Sequence, residues 1–330
     1  MEATLPAISV VIPVYNEEAG LPALFARLYP ALDALGVAYE VIFINDGSRD
    51  RSAAVLKDQF LARPDVTRVV LFNANYGQHL AIIAGFERVR GERVVTLDAD
   101  LQNPPEEIAR LLEAMDAGHD YVGGVRRTRE DAWWRRVASR AMNGLRERIT
   151  RIRMTDQGCM LRAYSRDIVD AVAASREVST YIPALAYTFA RNPVEVDVAH
   201  EERSAGESKY SLYKLIRLNF DLVTGFSLVP LQLFSMFGML VSIGALITYV
   251  GVIVYRLASA EWQQALSALW DRDILQFFLI GMVLFGLGIV GEYVGRIYQQ
   301  VRARPHFSVE AVLERTDDAI RMPERTTGPQ

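Results

Sequence analysis

From Ile8 to Gly124 the chain alternates short apolar runs with longer amphipathic ones, and few folds accommodate that rhythm. Ile8–Val14, Glu40–Asn45, Val66–Phe72, Arg93–Asp98 and Tyr121–Gly124 read as strands. Glu18–Leu35, Arg51–Phe60, Gln78–Arg90 and Pro105–Ala117 read as the helices between them. The last opens on a proline, where the missing N–H costs little. Such alternation predicts an α/β domain with a mostly parallel sheet covered on both faces. All parallel strands then end on one rim, and that carboxyl rim is where such sheets bind ligands.

Three polar clusters fall on the rim: Pro13-Val14-Tyr15-Asn16-Glu17, Asn45-Asp46-Gly47-Ser48 and Asp98-Ala99-Asp100. Extended backbone alternates faces, so Asp98 and Asp100 are expected to project to one side. Two hard oxygen donors there suit Mg²⁺ or Mn²⁺ holding a diphosphate. A strand ending in a solvated Asp-x-Asp turn would have the same sequence. No Gly-x-Gly-x-x-Gly follows the first strand, which disfavours a dinucleotide fold, and no Gly-Lys-Ser/Thr phosphate loop occurs.

The last third changes character. No charged residue lies from Leu222 through Tyr255. Within it, Leu228–Val254 is long enough for a tilted membrane helix, which needs roughly 20 apolar residues. A second uncharged run covers Ile274–Gly291 and reaches Val294 if Glu292 sits at the interface. Two buried helices of a soluble protein are the alternative. The tail carries Arg296, Arg302, Arg304, Arg315, Arg321 and Arg325, against Arg256 and Arg272 in the connecting loop. That asymmetry places both ends on the cytosolic side. The N-terminus shows no basic segment followed by an apolar one, so the first half is expected to stay in the cytosol.

A net charge of −4 gives no sign of nucleic-acid binding, but the charge is uneven. Between Arg126 and Arg153 ten arginines face three acids, Glu130, Asp131 and Glu147. Trp133–Ile149 suits an amphipathic helix with Arg135 and Ser139 on one face. Trp and Arg together fit a membrane surface, as they also fit an ordinary basic surface helix. His200–Lys209 is polar and aperiodic and reads as a mobile loop. Tyr210–Val223 reads as an amphipathic segment lying on the membrane. A single cysteine, Cys159, excludes an intramolecular disulfide and a cysteine cluster for zinc.

Several motifs together resemble the family 2 glycosyltransferases with the GT-A fold, specifically those acting on polyprenyl phosphates. They are Val11-Ile12-Pro13-Val14-Tyr15-Asn16-Glu17-Glu18, Asp46-Gly47-Ser48, Asp98-Ala99-Asp100-Leu101-Gln102-Asn103-Pro104-Pro105-Glu106, Gly206-Glu207-Ser208-Lys209-Tyr210 and Gly291-Glu292-Tyr293-Val294-Gly295-Arg296-Ile297-Tyr298, near Arg304-Pro305. Asn75-Tyr76-Gly77-Gln78-His79, Ala84-Gly85-Phe86 and Gly158–Tyr164 look most like the branch that moves 4-deoxy-4-formamido-L-arabinose onto undecaprenyl phosphate in lipid A modification. Transferases of glucose or mannose to polyprenyl phosphate share the other motifs. Asn45 departs from the family, which usually has Asp before Asp46. The Gln-x-x-Arg-Trp motif of processive synthases is absent, so one sugar is expected per cycle.

The resemblance implies a Rossmann-like GT-A domain over 1–209, an interfacial juxtamembrane helix over 210–225, two transmembrane helices within 226–298 and a cytosolic tail over 299–330. It implies an enzyme of the bacterial inner membrane that forms a homo-oligomer. The donor is a UDP-sugar, the acceptor a polyprenyl phosphate lipid, and the anomeric carbon inverts. Mg²⁺ or Mn²⁺ would sit on Asp100, with Asp98 and Gln102 close by, unless Asp98 instead faces the ribose. Pro13, Tyr15, Glu17 and Asp46 carry over as nucleotide contacts, and Lys209 as a closing contact to the diphosphate. Arg126, Arg135, Ser139 and Arg203 carry over as acceptor-phosphate ligands. Asp156 carries over as the base or sugar-orienting carboxylate. His79, His200 and Cys159 are expected to be structural. Two readings of other classes are a non-catalytic nucleotide-binding scaffold and a flippase; intact site carboxylates and only two spans weigh against them.

Overall fold

A computed structural model describes residues 5–126, 154–156, 158–175, 181–201, 272–301, 307–316 and 319–320, with helical positions between 231 and 247. It divides into two compact units, residues 1–210 with 304–330, and residues 211–303.

The first unit is built on an eight-stranded sheet in the order β7-β5-β6-β4-β1-β2-β3-β8. Strands β1 (Ile8–Val14), β2 (Tyr39–Asn45), β3 (Thr67–Phe72) and β4 (Arg93–Thr96) run parallel. β5 (Tyr121–Arg126) pairs in parallel with β7 (Pro193–Val198). Two strands run the other way: β6 (Arg162–Ser165), between β4 and β5, and β8 (Val309–Leu313), on the edge of β3. The mostly parallel α/β sheet read from the sequence is therefore present. β8 is an addition to this sheet that the alternation did not signal, and the short antiparallel strands Arg315–Thr316 and Ala319–Ile320 follow it.

Burial explains the apolar runs. All seven residues of β2 are buried, and its single charge, Glu40, accepts the Ser9 hydroxyl at 2.6 Å. Helix α1 (Leu21–Asp33) buries Leu21, Leu24, Leu28 and Leu32 along one stripe. It starts later than its periodicity suggests because the Glu17 carbonyl takes the Gly20 and Leu21 N–H groups in a preceding turn. Helices α2 (Ser52–Ala62) and α3 (Gln78–Phe86) follow. Gly85 lets α3 lie close on β1, since a Cβ there would stand 2.4 Å from Val11 Cγ1. The segment opening at Pro105 is one 3₁₀ turn, Pro105–Glu107, before α4 (Ile108–Asp116). Helices α5 (Arg166–Ala174) and α6 (Ile182–Phe189) are the remaining described helices of the unit.

In the second unit, α7 (Arg272–Val301) coincides with the second uncharged run. Counted over described residues alone, no helix is long and apolar enough to cross a membrane. The expected helix over Trp133–Ile149, the interfacial segment Tyr210–Val223 and most of the first run lie outside the described residues. So does the loop beyond Glu201.

Candidate active site

The turns after β1, β2 and β3 are joined by short polar bonds at the carboxyl rim. Ser48 Oγ accepts the Asn16 N–H at 3.0 Å, and Asn16 Oδ1 accepts the Arg49 N–H at 2.8 Å. Asn16 is left-handed at φ 54°, a conformation Asn tolerates better than most residues. Ser52 Oγ accepts the Glu17 N–H at 2.9 Å. Tyr15 is exposed. Asp46, in contrast, is turned into the protein and buried. Its carboxylate accepts the Tyr76 N–H at 2.7 Å, the Gly77 N–H at 2.8 Å and the Asn75 amide at 3.0 Å. Burial raises the Asp46 carboxyl, against those backbone bonds. Gly47 sits at φ 61° where a Cβ would lie 2.3 Å from the Ala74 carbonyl carbon. Asp46 and Gly47 thus fasten the Asn73–Gln78 turn to the rim.

β4 ends at Thr96, so the paired acids lie beyond the strand, in a turn, and not on the strand itself. The alternation nevertheless persists in burial. Leu97, Ala99, Leu101 and Asn103 are buried, while Asp98, Asp100 and Gln102 are half-buried between them. Leu101 adopts the left-handed conformation at φ 58°, and the Gln102 N–H donates to Asp100 Oδ1 at 3.1 Å. Gln78 Nε2 donates to Asp98 Oδ1 at 2.6 Å. Among the described residues no three His, Cys, Asp or Glu side chains group to hold a metal by themselves. A cation at Asp100 would complete its shell with water and a diphosphate, the usual arrangement for Mg²⁺ on one or two carboxylates. The hard oxygen donors fit such an ion.

A second cluster stands at the end of β5. Arg126 donates to Asp156 from Nε at 2.6 Å and from Nη2 at 2.8 Å, and the Gly158 N–H adds a bond at 3.0 Å. A Cβ on Gly158 would lie 2.5 Å from Arg126 Nη2, so the Gly158-Cys159 motif leaves room for the guanidinium. Burial pushes the Asp156 carboxyl up, but Arg126 and the N–H groups of Arg126 and Gly158 together hold it below the usual range. The Arg126 guanidinium is raised, first by its bonds to Asp156; the Asp98 charge also contributes, so the two clusters are within Coulombic reach. Beneath them Arg162 is fully buried. It donates to the carbonyls of Cys159 at 2.9 Å and Asp156 at 2.6 Å and to the Tyr121 hydroxyl at 2.6 Å.

The Glycosyl transferase family 2 model matches residues 9–173. The undecaprenyl-phosphate 4-deoxy-4-formamido-L-arabinose transferase of Pseudomonas aeruginosa is 50% identical over 316 residues, covering 95% of this chain and 92% of its own. That of Aeromonas hydrophila is 47% identical over 307 residues, covering 93% and 94%. The chain belongs to glycosyl transferase family 2. Among solved structures, glucosyl-3-phosphoglycerate synthase from Mycobacterium tuberculosis with Mn²⁺, uridine-diphosphate and phosphoglyceric acid is similar at a TM-score of 0.47. It is 19% identical, over 66% of this chain and 76% of that one, and a likeness this distant says nothing about ligands.

In this family 2 glycosyltransferase the rim brings together Pro13, Tyr15, Glu17, Asp98, Asp100, Gln102, Arg126 and Asp156. Asp46 is present as the fastening of a turn. Arg135, Ser139, Arg203 and Lys209 lie outside the described residues. Cys159 is buried, with burial pushing its thiol up to about 11, as a small core residue should be. His79 packs edge-on against Tyr181 at 5.4 Å and burial pushes it down to about 4, which suits a structural role. Three residues were missed by sequence reasoning: Gln78 on Asp98, Arg162 under Asp156, and Glu201. The Glu201 N–H donates to the Gln102 carbonyl at 2.9 Å, while its carboxylate shares Arg27 with Glu106. Gln78 and Arg162 stood inside quoted motifs, which was the available signal.

Proposed function

We propose that this glycosyltransferase moves one 4-deoxy-4-formamido-L-arabinose from a UDP-sugar to undecaprenyl phosphate, in lipid A modification. Near-half identity to the named transferases over almost the whole of both chains carries the reading. Pro13, Tyr15, Glu17 and Asp46 take the nucleotide, Asp46 while also holding the turn at Tyr76 and Gly77. Asp98, Asp100 and Gln102 face the diphosphate, and Lys209 closes over it. These residues would hold Mg²⁺ or Mn²⁺, which when bound stabilises charge on the leaving diphosphate. Arg126, Arg135, Ser139 and Arg203 bind the acceptor phosphate. An oxygen of that phosphate attacks the anomeric carbon, the bond to UDP breaks, and configuration inverts. The acceptor is already anionic, so a strong base is not demanded. Asp156, held acidic by Arg126, suits orientation of the sugar better than proton abstraction.

The same proposal has the enzyme as a homo-oligomer in the bacterial inner membrane, with two C-terminal transmembrane helices and the catalytic unit in the cytosol. In α7 the consecutive Val283, Leu284 and Phe285 are exposed at 60%, 62% and 64%. Consecutive positions point in well-separated directions, so the helix is apolar on several sides, as lipid contact requires. β8 belongs to the sheet of the catalytic unit, which takes in 1–210 and 304–330, so the chain that departs into the second unit comes back to the first. An even number of crossings satisfies that return.

The test is mass spectrometry of lipid products from purified protein, undecaprenyl phosphate and a panel of nucleotide sugars. The formamidoarabinose donor should give the dominant product. A preference for UDP-glucose or GDP-mannose would replace the sugar assignment, and no product with any donor would sink the enzyme reading.

A further inference from the structure

Strand β8 enters the catalytic sheet at its ligand rim. β8 runs antiparallel to β3, so its first residues lie beside the last of β3, and Val309 stands opposite Phe72 across a register shift. The Asn73 N–H donates to the Ser308 carbonyl at 3.3 Å. One residue earlier, Phe307 stacks on Phe72 with centroids 4.9 Å apart and planes 17° from parallel. Phe72 meets Tyr76 edge-on at 5.7 Å, and the Tyr76 hydroxyl donates to Asn73 Oδ1 at 2.8 Å. At the far end of β8, Glu314 is paired with Arg68 at 2.9 Å and Arg90 at 3.0 Å.

The turn supported in this way leads to the donor carboxylates. Tyr76 and Gly77 give their N–H groups to Asp46, and Gln78 gives its amide to Asp98. Asn73, Ala74 and Asn75 are themselves exposed. Little packing of their own holds them, so the turn depends on its fastenings: Asp46 on one side, the aromatic stack on the other. We infer that Phe307 is a positioning residue for the donor site, fixing the Asn73–Gln78 turn and through Gln78 the orientation of Asp98. The inference rests on the reading of the Asp98 rim as a nucleotide-sugar site. The segment following α7 in sequence is then part of what makes that site competent.

The test uses the full chain in detergent, with UDP and Mn²⁺ as the probe in calorimetry, beside steady-state kinetics. Phe307→Ala should weaken UDP binding by about three- to tenfold, the scale of one lost aromatic pair, and leave the KM for lipid unchanged. Phe307→Tyr, which keeps the ring face, should restore it. A lower melting temperature with unchanged UDP affinity would make Phe307 merely structural and overturn the inference. Should the alanine variant fail to fold, Phe307→Leu keeps the bulk without the ring; the same loss is expected, and normal affinity overturns. Failure of the unaltered protein to bind UDP would be a different result, sinking the donor-site reading and this inference with it.

Discussion

Both oxygens of the Asp156 carboxylate are taken by one guanidinium: Arg126 Nε reaches Oδ2 at 2.6 Å and Nη2 reaches Oδ1 at 2.8 Å. The two residues are otherwise candidates for opposite tasks, one for the acceptor phosphate and one for the sugar. Their pairing makes them a single unit, in which only Nη1 of the arginine fork is not used by the carboxylate. An acceptor phosphate would therefore meet an arginine already half neutralised and rigidly aimed, which favours geometry over raw charge.

The pair sets a pH dependence with a definite sign. Asp156 is held below the ordinary aspartate value near 4. Its stabilising contribution is complete above the unfolded value and is lost only as pH falls through the still lower folded one. No Asp156 titration should appear in kcat between about pH 6 and 8. In Arg126→Gln, burial becomes the dominant influence and the folded value rises above the unfolded one. The variant's deficit in melting temperature should then be largest near neutrality and shrink as pH falls toward about 4. A deficit independent of pH would show that burial does not govern this carboxyl.

Asp100→Asn should abolish transfer and spare the fold. The asparagine carbonyl still offers an acceptor to the Gln102 N–H, now 3.1 Å from Asp100 Oδ1, so the turn should survive. What is lost is a charged ligand for a divalent ion at the leaving diphosphate, worth several kcal/mol, or at least about a hundredfold in kcat. Assays across a Mn²⁺ series, with melting curves as control, test this. Full activity of the variant in EDTA-treated buffer would remove the metal role from Asp100.

The sheet was legible because buried parallel strands read as apolar runs, and β1 and β2 are buried nearly throughout. The rim was legible because Asn16, Asp46-Gly47 and Asp98–Gln102 carry turn chemistry at strand ends. β8 was not: only Ala311 and Leu313 of Val309–Leu313 are buried, and so short a pattern does not say which edge it joins. The early end of β4 was hidden because the turn relies on a left-handed Leu101, a residue that gives no local sign of it. Asp46 was legible as a carboxylate, but residue type does not reveal the backbone N–H groups of Tyr76 and Gly77 that come to meet it. The Arg126–Asp156 pair spans a separation that no periodicity encodes.

Gly47→Ala should cost more than about 2 kcal/mol and weaken UDP binding together with stability. The added Cβ meets backbone, the Ala74 carbonyl carbon at 2.3 Å, at a φ of 61° that alanine disfavours. No side-chain rotation relieves that contact, so the Asn73–Gln78 turn must move away from Asp46. A melting curve and a UDP titration on one sample decide the point. Unchanged values for both would mean that the turn yields without strain.

Arg162→Lys separates charge from geometry in the buried layer beneath Asp156. Arginine spans three acceptors from a planar fork, the carbonyls of Asp156 and Cys159 and the Tyr121 hydroxyl. A lysine ammonium keeps the charge as a point on a flexible stem and cannot reach all three in the same directions. Each acceptor left without a donor costs about 1–3 kcal/mol, so the melting temperature should fall by several degrees. The consequence for catalysis is more specific. Arg162 holds the Asp156 carbonyl while Arg126 holds its carboxylate, so loosening the turn should misplace a sugar-orienting group without disturbing the β4 turn. We expect kcat to fall about tenfold or more with the KM for nucleotide sugar little changed, measured below the variant's own melting range. A rise in donor KM at constant kcat would instead assign this layer to donor binding. Normal kinetics in a destabilised variant would leave Arg162 as a core residue alone.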